Sequence, residues 1–211
     1  MNKIRVLLVD DHVIVRNGVR LMLGEVDDIV VEGEADSAQR ALQLIKEKDF
    51  DVVLLDIAMP GKNGLDLLKI IRAEKPKLAT IVLSTYSEEV YAMRAFKIGA
   101  AGYLTKDSPA DVLIAAVRKA AKGGKHVSPS LMEKMASMIG GGTVDSHDEL
   151  SNRELEVLKL IAAGESLVKI AETLHLSPHT VTTYRARILQ KMGMSTNAEL
   201  TRYAIENGLI M

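Results

Sequence analysis

The first half of the chain alternates short β-rich runs with helical patterns, and no other feature of the sequence restricts the fold as much. Candidate strands fall at Ile4–Val9, Ile29–Glu34, Val52–Leu55, Thr80–Leu83 and Gly102–Leu104. Helical stretches follow them near Val13–Leu23, Ala38–Lys48, Leu65–Ala73, Glu88–Ile98 and Ala110–Lys122. Strands that alternate with helices in this way predict an α/β doubly wound five-stranded parallel sheet. The strand cores Val6-Leu7-Leu8-Val9 and Val52-Val53-Leu54-Leu55 are continuously apolar, as strands covered on both faces must be. In such a sheet the functional groups collect where the carboxyl ends of the strands meet the loops.

From about Gly123 the pattern changes. Ser128-Pro129 opens a short helix through Ile139, Gly140-Gly141-Gly142 stops it, and the polar, acidic Thr143–Glu149 reads as a linker. Beyond Leu150 only helices are expected. Ser151 and Glu154 form a capping box that starts a helix to about Ala163. Further helices fall at Leu167–Leu174, Pro178–Met192 and Asn197–Asn207. The expected partition is therefore 1–122, a connecting segment 123–142, and a small all-α domain 143–211. The 211 residues, 47% hydrophobic and 26% charged, hold enough apolar material for two small cores. Cysteine is absent, which excludes disulfides, thiolate metal sites and thiol nucleophiles. The apolar run Ile4–Val9 is too short for a secretory signal, and no stretch approaches the roughly 18 apolar residues that span a bilayer. A soluble, cytoplasmic protein is expected. The net charge of −1 gives no global attraction to nucleic acid, so any DNA binding must rest on local patches.

Three carboxylates fall at strand ends: Asp10 and Asp11 after the first strand, Asp56 after the third. If those strands are neighbours, the like charges crowd and resist ionisation unless a cation joins them. A hard divalent ion with oxygen ligands, most naturally Mg²⁺, resolves the conflict and leaves a carboxylate able to attack a phosphoryl group. Phosphoryl transfer also needs positive and hydroxyl groups opposite the metal. Lys106 and Ser84, after the fifth and fourth strands, occupy suitable places. Any one of these residues taken alone reads more simply as a turn residue or a helix cap; all of them fall at carboxyl ends.

Together Val9-Asp10-Asp11-His12, Asp56-Ile57-Ala58-Met59-Pro60 with Asn63-Gly64, Ser84, and Tyr103-Leu104-Thr105-Lys106 resemble the flavodoxin-like receiver domain of response regulators, over roughly Ile4–Ala120. The resemblance implies that Asp56 accepts a phosphoryl group from a phosphohistidine of a sensor histidine kinase. It implies that Asp11, Asp56 and the Ala58 carbonyl bind Mg²⁺, with Asp10 assisting through water. Tyr103 matches an aromatic switch position, whose ring turns inward as the Ser84 hydroxyl moves to the phosphate; a half-buried core tyrosine is the other reading. The small side chains at Ala58 and Thr85 leave the site open, so ready hydrolysis of the phosphoryl group is expected.

In the second half, Leu167–Leu174, a turn at His175–Ser177 and Pro178–Met192 have the dimensions of a helix-turn-helix, or of a plain helical hairpin. Val181, Ile188 and Met192 should face the core, with Thr183, Ala186, Arg187 and Gln190 outward and Tyr184 at the edge. Leu150-Ser151-Asn152-Arg153-Glu154-Leu155-Glu156-Val157-Leu158, Ala163-Gly164-Glu165-Ser166, Ile170-Ala171 and Leu176-Ser177-Pro178-His179-Thr180-Val181 resemble the LuxR-type helix-turn-helix. With the receiver, this points to the NarL/FixJ family of response regulators. The resemblance implies double-stranded promoter DNA as a partner and a homodimer when phosphorylated, with the last helix as the usual dimer contact. The helix from Pro178 would lie in the major groove, with Thr182, Thr183, Ala186 and Arg187 nearest the bases. Lys169, Arg185 and Lys191 are candidates for phosphate contacts, Arg185 being equally readable as a structural ion-pair partner. The family often carries a basic residue at Thr182, histidine at Tyr184 and asparagine at Leu167, so the DNA sequence bound should differ from that of relatives.

The expectation is a phosphorylation-gated transcription regulator rather than an enzyme. A phosphohydrolase using Asp56 on a similar sheet is the enzyme alternative, but such enzymes place the nucleophile after the first strand with a second acid two residues on, and here Asp10 and Asp11 are adjacent. A regulator that uses the first domain only for protein contacts would leave the acids, hydroxyl and lysine without a purpose.

Overall fold

A computed structural model describes residues 3–59, 64–86, 88–139 and 146–210. Pro60, Asn63 and the Gly140–Gly142 run, singled out above, lie outside the described residues. The chain divides into two compact units, Met1–Ser137 and Met138–Met211, so the segment 123–142 is split between them.

In the first unit β1 (Ile4–Val9), β2 (Ile29–Ala35), β3 (Val52–Leu55), β4 (Ala79–Ser84) and β5 (Gly102–Thr105) form one parallel sheet in the order β2-β1-β3-β4-β5. Helices α1 (Val13–Gly24), α2 (Ala38–Glu47), α3 (Gly64–Glu74) and α4 (Glu88–Ile98) are the crossovers, and α5 (Ala110–Ala121) follows the last strand. Val6, Leu8, Val52, Leu54, Ile81, Leu83 and Leu104 make one face of the sheet, packed under Val19 and Leu23 of α1 and Leu113, Val117 and Ala120 of α5. The alternate residues Leu7, Val9, Val53, Leu55, Val82 and Tyr103 are buried on the opposite side, where α2, α3 and α4 lie. Each such aliphatic side chain contributes roughly 1.5–3 kcal/mol by leaving water.

Three strands run one residue or more past their expected ends, because the ladder continues where residue type alone gives no strand signal. Val9 pairs with both Ala35 and Leu55, and Ser84 pairs with Thr105. This register positions the site. Asp10 and Asp56 are the next residues after the pair Val9–Leu55, and Lys106 follows the pair Ser84–Thr105. The connection after α5 is tied to the sheet edge: His126 forms a parallel bridge with Gly102 and donates its amide to the Ala101 carbonyl at 2.7 Å. It leads into α6 (Pro129–Ile139).

The second unit contains a short 3₁₀ turn at Ser146–Glu149, then α7 (Asn152–Ala162), α8 (Leu167–Leu174), α9 (Pro178–Met192) and α10 (Asn197–Glu206). Side chains cap the helix starts. Ser151 and Glu154 form the expected box on α7, Thr196 and Glu199 form another on α10, and Ser166 and Ser177 cap α8 and α9. Leu155, Leu158, Ile161, Ile170, Val181, Ile188, Leu200 and Ala204 build the core. The burial of Leu200 and Ala204 answers what α10 could offer a partner: those two residues are core, and its exposed apolar side chain is Ile205. Tyr203 accepts or donates a 2.8 Å hydrogen bond to Nδ1 of the buried His147, which ties the 3₁₀ turn to α10. Among the described residues no helix is long and apolar enough to cross a membrane.

Candidate functional site

The carboxyl ends of β1, β3, β4 and β5 converge on one acidic pocket. Asp56 is 1% exposed and Asp10 5%. The Lys106 ammonium lies between them, 2.6 Å from Asp56 Oδ2 and 2.7 Å from Asp10 Oδ2. Asp56 Oδ1 accepts the Ala58 amide at 2.8 Å, which turns the backbone after β3 back over the carboxylate. Gly64, at the start of α3, makes room for that turn: a Cβ there would sit 2.3 Å from the Asp56 carbonyl oxygen and 2.6 Å from Ile57 Cα. A side chain at 64 would displace the backbone that carries Asp56.

The pocket holds more negative than positive charge. Burial pushes the Asp56 carboxyl above its ordinary value, against the pull of Lys106 and the Ala58 amide. Burial alone would lower the Lys106 value, but its hydrogen bonds to Asp10 and Asp56 outweigh that and hold it protonated. Asp11 Oδ1 is buried and receives no hydrogen bond. Donor atoms of Asp10, Asp11, His12 and Asp56 all lie within 4.8 Å of one another, a cluster compatible with a divalent cation. His12, quoted above within the motif, carried no assigned role there. Its amide donates to Asp10 Oδ1 at 2.8 Å, and its ring Nδ1 is 3.2 Å from the same oxygen and 3.0 Å from Asp11 Oδ1. Arg16 was missed too. From one turn into α1 it donates to the Asp10 carbonyl at 2.6 Å and reaches Glu34.

Ser84 is fully buried, and its Oγ accepts the Tyr86 amide at 3.2 Å. The Tyr86 carbonyl in turn accepts the Tyr103 phenol at 2.9 Å. Tyr103 is 2% exposed with its ring turned inward, so its side chain is core and hydrogen-bonded to the loop after β4 at once. Burial pushes its phenol well above the ordinary value, partly offset by the Ser84 hydroxyl. Tyr86 also stacks on the buried Tyr91 of α4, with centroids 4.8 Å apart. Nothing in the sequence singled out Tyr86, because its contribution here is a backbone carbonyl and a ring face.

In the second unit the turn after α8 brings α9 to the surface with its outer face open. Val181, Ile188 and Met192 are buried, Tyr184 and Arg185 half-buried, and Thr182, Thr183, Ala186, Arg187 and Gln190 exposed. The cations expected at the DNA backbone differ in their engagement. Lys169 is exposed and only loosely paired with Glu172 at 3.6 Å. Arg185 donates from Nε to Asn197 Oδ1 at 2.7 Å, a hydrogen bond to the start of α10 rather than the alternative ion pair. Lys191 is engaged within its own unit. Its ammonium lies 2.7 Å from Glu154 Oε2, whose side chain is 4% exposed, because the carboxylate that completes the α7 capping box requires a counter-charge there. Lys191 thus tethers α9 to α7 while its side chain stays 39% exposed.

A doubly wound sheet with an acid–lysine pocket at its switch point, followed by a helix-turn-helix, defines a class of two-domain signalling regulators. Residues 6–118 match the family described as "Response regulator receiver domain", and residues 148–204 match "Bacterial regulatory proteins, luxR family". The chain is 34% identical to "Response regulator GacA" of Pseudomonas aeruginosa over 98% of both chains. It is 36% identical to "Response regulator UvrY" of Escherichia coli K12, covering 98% of this chain and 95% of that one. Among solved structures it is similar to RcsB from Salmonella enterica serovar Typhimurium bound to promoter rprA with the phosphomimetic BeF3−, at 28% identity, TM-score 0.69, 95% of this chain and 98% of that one. The chain belongs to the two-component response regulators of the NarL/FixJ family, with a receiver and a LuxR-type helix-turn-helix.

Proposed function

We propose that Asp56 accepts a phosphoryl group from a phosphohistidine of a sensor histidine kinase, and that the modified protein binds promoter DNA as a homodimer through α9. The observation that carries this reading is the Lys106 ammonium held between Asp56 and Asp10, with an Asp11 carboxylate oxygen within 4.8 Å of theirs. Asp11, Asp56 and the Ala58 carbonyl would hold Mg²⁺, with Asp10 assisting through water. When bound, the ion neutralises charge on the phosphoryl oxygens.

The chain's own groups account for the rest. A carboxylate oxygen of Asp56 forms the new O–P bond as the N–P bond of the donor histidine breaks, leaving an acyl phosphate. Lys106, already within 2.6 Å, pairs with the added phosphoryl oxygens. Ser84 turns its hydroxyl towards them, and the loop through Tyr86 follows because the Tyr86 amide is bonded to Ser84 Oγ. Tyr103, bonded to the Tyr86 carbonyl, is carried along or held inward by that loop. A local charge change is thereby converted into a change of the α4 surface. The small Ala58 and the exposed Thr85 leave a path for water, so the phosphoryl group hydrolyses readily; persistence for many hours on the isolated protein would refute this. The protein acts in the cytoplasm, and apart from this self-dephosphorylation it has no enzymatic role.

The test is a small-molecule phosphodonor with Mg²⁺ followed by a mobility-shift assay on genomic fragments. Covalent labelling at Asp56 and tighter, fragment-selective DNA binding are expected. Absence of labelling with the donor and Mg²⁺ present would overturn the phosphoacceptor assignment. DNA binding and expression control unchanged in Asp56→Asn would establish a phosphorylation-independent regulator instead.

A further inference from the structure

The exposed face of α9 contains two threonines whose hydroxyl hydrogens are taken by the helix itself. Thr182 Oγ1 donates to the Pro178 carbonyl at 3.0 Å, and Thr183 Oγ1 donates to the His179 carbonyl at 3.1 Å. A hydroxyl has one hydrogen, and here the helix's own backbone takes it. Donating to a base instead would exchange one hydrogen bond for another, with little net gain. What these side chains offer outward is a methyl group and an oxygen lone pair. Ala186, exposed one turn beyond Thr182, adds a third methyl.

This set is selective among base edges. In the major groove thymine presents its C5 methyl and the adenine opposite presents an amino donor, whereas guanine presents two acceptors. A lone pair can accept from adenine or from the cytosine opposite guanine, so the methyls, which match only the thymine C5 methyl, supply the selectivity. Arg187, one turn beyond Thr183, is exposed with no ion pair among the described residues, and is the side chain on this face suited to a guanine.

From these contacts we infer that Thr182, Thr183 and Ala186 specify A·T pairs by contact with thymine methyl groups rather than by hydroxyl donation. This rests on the assignment of α9 as the DNA-reading helix. The two are distinguishable, since failure to bind any duplex removes that assignment and this inference with it, whereas binding without thymine-methyl dependence removes only the inference.

The test uses the full-length protein with phosphodonor and Mg²⁺, and a duplex selected from a random pool. Each thymine in the selected half-site is replaced by deoxyuridine, which keeps base pairing and deletes the methyl. Dissociation constants should rise about fourfold for each thymine covered, the loss expected for one methyl returned to water. Thr182→Ser and Thr183→Ser, which keep the hydroxyl and lose the methyl, should abolish the difference between thymine and uracil at one position each. Thr182→Val and Thr183→Val, which keep a methyl and lose the hydroxyl, should preserve it. Serine variants that still discriminate, or valine variants that lose affinity with an unchanged melting temperature, would overturn the inference and assign the reading to the hydroxyls.

Discussion

The acidic pocket and the outer face of α9 are built on opposite principles. In the pocket the charged groups are withdrawn from water and held against one another, with Lys106 bridging two buried carboxylates. On α9 the candidate contacts are exposed, and of the cations first counted there one is diverted to Glu154. Burial makes each pocket group depend on its neighbours, because low dielectric strengthens every pairing and penalises every orphan. Exposure makes the helix face a set of small, separable contributions. Substitutions in the pocket should therefore be large and non-additive, while those on α9 should be modest and nearly independent.

The largest expected effect tests the pocket. Lys106→Met leaves Asp56 and Asp10 facing each other without their shared cation, and should cost roughly 3 kcal/mol of the first unit's stability at neutral pH. The sign of its pH dependence follows from the raised Asp56 value. A carboxyl that is harder to ionise in the folded state favours folding below its unfolded value and loses that contribution as pH rises through the folded one. The destabilisation of Lys106→Met should thus shrink as the pH falls through that window, and Mg²⁺ should also relieve it. Melting temperatures against pH and Mg²⁺ would read both; a flat, small effect would remove the contrast between pocket and surface.

Next comes a pair on α9. Arg187→Ala should weaken binding to a selected DNA site by about 2 kcal/mol with no change in melting temperature. Lys191→Ala should do the reverse, lowering thermal stability through Glu154 and leaving the salt dependence of DNA binding nearly unchanged. Salt titrations of both variants decide whether Lys191 also contacts a DNA phosphate.

Glu154→Gln should cost the second unit about 1–2 kcal/mol, since the cap amide of Ser151 and Lys191 both depend on that carboxylate. Although burial opposes ionisation of Glu154, Lys191 and Ser151 hold it below the ordinary range. Its contribution is therefore present above the unfolded value and disappears as pH falls through the folded one, and the glutamine variant should lack that acid-sensitive step. The smallest effect is expected at His175, which closes α8 in a left-handed conformation with φ of 51°. His175→Gly should raise stability by about 0.5 kcal/mol, measured by chemical denaturation.

Much of the fold could be read from residues alone. Continuous apolar runs such as Val52–Leu55 announce strands covered on both faces, and Ser151 with Glu154 announces a helix start. Both signals are local, so they survive without knowledge of the partner. The same holds for Val181, Ile188 and Met192, whose spacing alone places them inward. Asp10, Asp11, Asp56, Ser84 and Lys106 were identifiable because strand ends are recognisable and a parallel sheet gathers its carboxyl ends on one edge.

What required three dimensions was pairing between distant segments. Nothing local distinguishes Lys191 from Arg187; only the approach of α7 to α9 places Glu154 beside one and leaves the other in water. Equally, Tyr86 became part of the pocket's linkage through a backbone carbonyl, and Gly64 through space its absent side chain leaves for Asp56. Periodicity encodes which way a side chain faces, whereas its partner is chosen by the packing of elements remote in the chain. That choice carries most of the electrostatic energy, since charge interactions fall with distance in space and take no account of separation along the sequence.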